Sequence, residues 1–194
     1  WGYEEDGATL LAHLEKIVQY NVQSSEKEKF DGVMLDIEPY ISDSWKENPE
    51  EYMDRYISCM KKGYKFAQKN HLRTAICIPR HYDNQGLTSG LEELIKETCD
   101  EVAVMNYSCG NEIEAIRTEA ALSEKYGKEL HCILEFQEVG KHGLTENKTY
   151  RNKGIDNAKE TWEKLQKEYK NINVTRDYHW SRPVREMLEE KNAD

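Results

Sequence analysis

Residues 31–40 read Asp-Gly-Val-Met-Leu-Asp-Ile-Glu-Pro-Tyr, an apolar run that ends in two acids. Side chains alternate along a strand, so Val33, Leu35 and Ile37 share one face while Gly32, Met34, Asp36 and Glu38 share the other. The first face is apolar and predicts packing under helices. The second turns acidic toward its carboxyl end, where parallel β/α proteins build sites from strand tips and loops. Two acids in one cleft can be driven to different protonation states, so that one keeps its proton. The plain alternative is a strand tip that reaches water, its acids solvated or paired with Arg80 or Arg176.

Around this stretch the pattern alternates. Leu10, Leu11, Leu14, Ile17 and Val18 have helical spacing before it. After it, Asn48, Pro49, Glu50 and Glu51 form an N-cap, a first-turn proline and an acidic first turn. Met53, Tyr56, Ile57, Met60 and Tyr64 then continue one apolar face, predicting a helix to about residue 70. Further strands are predicted at 74–79, 101–107, 130–136 and 174–180, with helices at 91–97, 112–126 and 155–169 between them. Such alternation implies parallel β/α units, here in a single domain over residues 1–194.

A closed barrel of eight such units takes about 250 residues. The expected fold class is therefore α/β, a partial (β/α)8 TIM barrel of about five units. Its N-terminal strands would be missing from these 194 residues, or a partner chain would complete the barrel. A doubly wound five-stranded sheet is the competing architecture. Against it, no glycine-rich phosphate loop follows any strand, and polar residues gather at the strand ends.

Composition narrows the ligand. The formal net charge is −10, with Lys and Arg mixed among the acids, which speaks against a nucleic-acid partner and for a neutral or small ligand. No run approaches a membrane span, and the opening residues lack a basic stretch followed by an apolar one. Trp1 in place of Met is consistent with a longer N-terminal region having been removed. The five cysteines are odd in number and without CxxC spacing, so buried free thiols are expected. His71, His81, His131, His142 and His179 have no metal-ligand spacing, and no metal or cofactor is expected. Ser108-Cys109-Gly110 lacks the frame of a nucleophile elbow. Asn106, Asn147 and Asn173 begin Asn-x-Ser/Thr triplets, which leave the compartment open.

The stretch Asp31 to Glu38 resembles the Asp-Gly-x-Asp-x-Asp-x-Glu motif on the fourth strand of glycoside hydrolase family 18, the chitinases and endo-β-N-acetylglucosaminidases. Met34 stands at the first inner Asp. Met105-Asn106-Tyr107 is similar to the family's Met-x-Tyr on strand six, with Ser108 where an Asp often follows, and Trp180 matches a Trp at the end of strand eight. The resemblance covers strands four to eight, nearly the whole chain. It implies that Glu38 is the general acid and that Asp36 orients the substrate's 2-acetamido group, whose carbonyl attacks the anomeric carbon. Tyr107 would hydrogen-bond that group, Trp180 would form the floor under the sugar, and Asp31 and Met105 would belong to the substrate site. It also implies an extracellular or cell-surface location, while free cysteines keep a cytoplasmic one open.

Alternation adds candidates of its own. Cys132, Leu134 and Phe136 form one face of their strand, leaving Glu135 and Gln137 on the cleft side, and His179 reaches the same cleft. Glu38 with Glu135 would make a retaining pair if their carboxyls stood about 5 to 5.5 Å apart, although Ile37 precedes Glu38 where such families carry Asn. A third reading is a carbohydrate-binding barrel without chemistry, in which Tyr40, Trp45, Tyr82, Tyr107 and Trp180 stack on sugar faces. Trp162 reads as core.

Overall fold

The computed structural model describes residue 4 and residues 6–193, so Trp1 lies outside the described residues. In chain order the elements are α1 (Ala8–Gln23), β1 (Gly32–Asp36), α2 (Asp43–Glu47), α3 (Pro49–Lys69), β2 (Arg73–Pro79), α4 (Thr88–Thr98), β3 (Glu101–Met105), α5 (Glu112–Ala115), α6 (Arg117–Tyr126), β4 (Glu129–Glu135), α7 (Ile155–Glu168), β5 (Val174–His179) and α8 (Ser181–Ala193). The fold is α/β, with an all-parallel sheet in the order β1-β2-β3-β4-β5 and helices between successive strands. A sequential order has no reversal, so the switch point of a doubly wound sheet is missing. No helix among the described residues is long and apolar enough to cross a membrane.

The chain divides into two compact units, residues 1–78 with 82–102, and residues 79–81 with 103–194. In the first, α3 buries Met53, Tyr56, Ile57 and Met60, the apolar face predicted from its spacing, and Leu10 and Leu14 of α1 are equally buried. Gly63 permits the close approach of α1 to α3. A Cβ there would lie 2.5 Å from Cδ2 of Leu10, well inside contact distance. Strand β2 is buried from Thr74 to Pro79, and α4 adds Leu91, Leu94 and Ile95. Gly32 has a similar role at the start of β1, where a Cβ would meet the Arg73 carbonyl oxygen at 2.9 Å. That close approach gives a physical reason for Gly after Asp31.

The second unit is built around Phe136, whose ring lies 6.0 Å from Tyr150, 6.3 Å from Trp162 and 6.2 Å, edge-on, from Tyr178. Trp162 is core, as expected, and its indole N–H donates to the Cys132 carbonyl at 3.0 Å. Leu130, Cys132 and Leu134 fill the same interior. Strands β4 and β5 run parallel with Glu135 opposite His179.

Two features depart from the sequence reading. The helix expected over 112–126 breaks at Ile116, which has non-helical φ −125° and ψ 19°. Side chains from elsewhere take the carbonyls that would continue the helix: Asn106 Nδ2 donates to Glu112 O at 2.9 Å, and the Tyr169 hydroxyl donates to Ile113 O at 2.6 Å. The second departure is α8, which is separated from the last strand by Trp180 alone. Its Pro183 falls in the first turn, where a missing N–H is tolerated, and Val184 and Met187 are buried.

Candidate functional site

Asp31, Asp36, Glu38 and Tyr40 belong to the first unit; Met105, Tyr107, Glu135, Gln137 and Trp180 belong to the second. In the first unit the alternation of β1 holds at its carboxyl end. Leu35 and Ile37 are buried, whereas Met34 and Asp36 are exposed and Glu38 is half-buried. Pro39 is buried and starts a short 3-10 turn, so the chain bends immediately after Glu38. The bend brings the Tyr40 hydroxyl onto the Glu38 carboxylate, to which it donates a hydrogen bond. Burial, and then this bond to Glu38, pushes the Tyr40 phenol far above its ordinary value, so the phenol remains the proton donor. Behind it lie Tyr82, with ring centroids 6.1 Å from Tyr40, and Trp45, 5.5 Å from Tyr82.

These contacts correct one expectation. Trp45 and Tyr82, candidates for stacking on a sugar, are 3% and 0% exposed. They form the packed wall that fixes Tyr40. Asp31 is exposed and precedes β1, whereas Glu38 follows it. The Asp31 backbone carbonyl accepts from the Arg73 amide at 2.9 Å.

In the second unit Glu135 differs from a cleft-facing carboxylate. It is 2% exposed. Its Oε1 accepts the backbone amides of Phe136 and Gln137, both at 2.8 Å, and its Oε2 lies 3.0 Å from His179 Nδ1 and 3.3 Å from Gln137 Nε2. Burial by itself would raise this carboxyl, but the His179 and Gln137 bonds outweigh it and hold the group below its ordinary value. Glu135 is therefore an ionised anchor. It orients His179, whose ring lies 6.2 Å from that of Tyr107. Met105, Tyr107 and Gln137 are half-buried at the ends of β3 and β4, and Trp180 is 44% exposed beyond β5. The peptide joining His179 to Trp180 is cis.

The sequence reading had no place for a second His–carboxylate pair on the same strands. His131 Nδ1 lies 2.7 Å from Asp177 Oδ2, and Thr175 donates to the other oxygen of Asp177 at 3.3 Å. Its signal was the shared parity of 131 with 135 and of 177 with 179, readable only once β4 and β5 are known to be neighbours. The cysteines are free and, apart from half-buried Cys109, buried. Asn106, first residue of an Asn-x-Ser triplet, is 1% exposed, and Thr149 of the next triplet is fully buried, its hydroxyl donating to Gln137 O at 2.6 Å.

No protein-family model, no curated protein and no solved structure matches this chain.

Proposed function

We propose that the chain carries five β/α units of a family 18-like glycosidase barrel and hydrolyses β-linked N-acetylglucosamine-containing glycans with retention, the substrate assisting. Glu38 protonates the glycosidic oxygen as the bond to the anomeric carbon breaks. The substrate's acetamido oxygen attacks that carbon, and Asp36 orients the acetamido group and balances its charge. Water then opens the cyclic intermediate, returning its proton to Glu38.

The observation that carries this reading is the tip of β1. Asp36 and Glu38 stand on one face, the opposite face is buried, and a tyrosine held by aromatic packing bonds Glu38. The paired-glutamate mechanism gains less support, because a nucleophile needs an accessible oxygen and Glu135 has both of its oxygens bonded in the interior. A recognition-only barrel is favoured by one feature: half-exposed Met34 lies on the face of Asp36, where the family motif has an acid.

The test compares the protein with its Glu38→Gln variant on fluorogenic N-acetylglucosaminides and on plain glucosides and galactosides. Hydrolysis of acetamido sugars alone is expected, with the variant slower by at least ~100-fold. Turnover of plain glycosides would overturn the substrate-assisted step. Chito-oligosaccharide binding without any turnover would leave the cleft as a recognition surface.

A further inference from the structure

The second unit contains a cleft that the proposed chemistry does not use. It has a volume of about 700 Å³ and opens between the loop after β3, the short helix α5 and one polar stripe of α7. The stripe is Asn157, Thr161, Lys164 and Glu168, spaced so that all four share a helix face. The opposite face of α7 carries Ala158, Trp162 and Leu165 into the core.

The floor of the cleft is a chain of buried polar groups. Glu112 Oε1 accepts the Gly110 amide at 2.8 Å and the Tyr150 hydroxyl, and that hydroxyl lies 2.8 Å from Thr161 Oγ1. Glu112, Tyr150 and Thr161 are 8%, 2% and 7% exposed. Among the described residues Glu112 has hydrogen bonds but no basic partner, so a largely desolvated carboxylate lacks a countercharge. A buried charge in that condition is costly unless something cationic meets it. Among the described residues the ammonium groups of Lys153 and Lys164 belong to no ion pair, and both line the same cleft at exposed positions.

We infer that the cleft between α5 and α7 binds a small zwitterion of the α-amino-acid class, its ammonium on Glu112 and its carboxylate on Lys153 or Lys164. The volume suits a small ligand, since such sites span about 300 to 1,000 Å³. An anion alone would leave Glu112 uncompensated, and a cation alone would leave Lys153 and Lys164 unmatched, since Glu114 in the same lining is engaged by Arg117 and Glu168 lies exposed at the end of the stripe. Neither conflict arises with a zwitterion.

Isothermal titration calorimetry of the intact chain tests this, with free α-amino acids, their N-acetyl derivatives and the matching amines without a carboxylate as probes. At least one free amino acid is expected to bind, and its N-acetyl and decarboxylated counterparts to bind at least about tenfold more weakly, as for the loss of one charged hydrogen bond. Glu112→Gln is expected to weaken binding by a similar factor. Should that variant fail to fold, Lys153→Met/Lys164→Met alters only exposed positions and is expected to equalise amino acids and their matching amines. The inference is overturned if no free amino acid binds, if the amines bind as tightly as the amino acids, or if neither variant changes the affinity. All these readouts are independent of glycoside turnover.

Discussion

At the scale of single residues, Glu135 decides most about the second unit. Its carboxyl titrates lower in the folded chain than in the unfolded one, because the bonds from His179 and the Gln137 amide outweigh its burial. A depressed carboxyl contributes stability that is fully present above its unfolded value, about 4.3, and is lost as pH falls through the folded value. Glu135→Gln should therefore lower stability at neutral pH by about 2 to 3 kcal/mol, as for a buried, charge-assisted network. It should also flatten the loss of stability on the acid side, which urea titrations at a series of pH values measure. An equally steep acid limb in the variant would assign the acid sensitivity to other carboxyls.

At the scale of elements, the break between α5 and α6 is met by two side chains, Asn106 and Tyr169. Asn106 is 1% exposed and uses its amide to hold the Glu112 carbonyl. Asn106→Ala leaves that carbonyl without its donor and is expected to destabilise the chain by about 2 kcal/mol. Thermal unfolding followed by circular dichroism would read it, and a variant as stable as the parent would show that the helix simply closes through Ile116. The same element shows what a one-dimensional pattern can carry. Apolar spacing located the five strands and, α8 apart, the long helices because burial of a face imposes its period on the sequence. It was silent on the break, which depends on Asn106 and Tyr169 reaching residues 112 and 113 from other parts of the chain. The tip of β1 was readable for the first reason, since Leu35 and Ile37 had to go inward. The burial of Glu135 was hidden for the second, since it depends on His179 standing opposite in the register. Trp45 and Tyr82 were misread because aromatic side chains suit a wall and a platform equally well.

At the scale of the whole molecule, β1 and β5 end the strand order. Near β1, Phe30 is 53% exposed and Met34 51%, and Tyr20 packs against Phe30 at 5.1 Å while itself half in water. If further strands or a partner chain cover that edge, as the barrel proposal requires, residues 1–194 alone should self-associate through it. Sedimentation velocity over a range of concentrations checks this, and a single monomer boundary throughout would count against a covered edge.

The buried thiols described above also keep a record of opening. Cys59, Cys77 and Cys99 lie in the first unit and Cys132 in the second, all free and all shielded. A short pulse of alkylating reagent marks each of them only in molecules whose surroundings have come apart. Strand β3 belongs by its start to one unit and by its end to the other, so unfolding is expected to be concerted. With half-buried Cys109 set aside as background, mass spectra through a urea series should then hold two populations, one with all four thiols protected and one with all four tagged. A species tagged on three, with Cys132 still protected, would mean that the chain can forget one half of its fold while remembering the other.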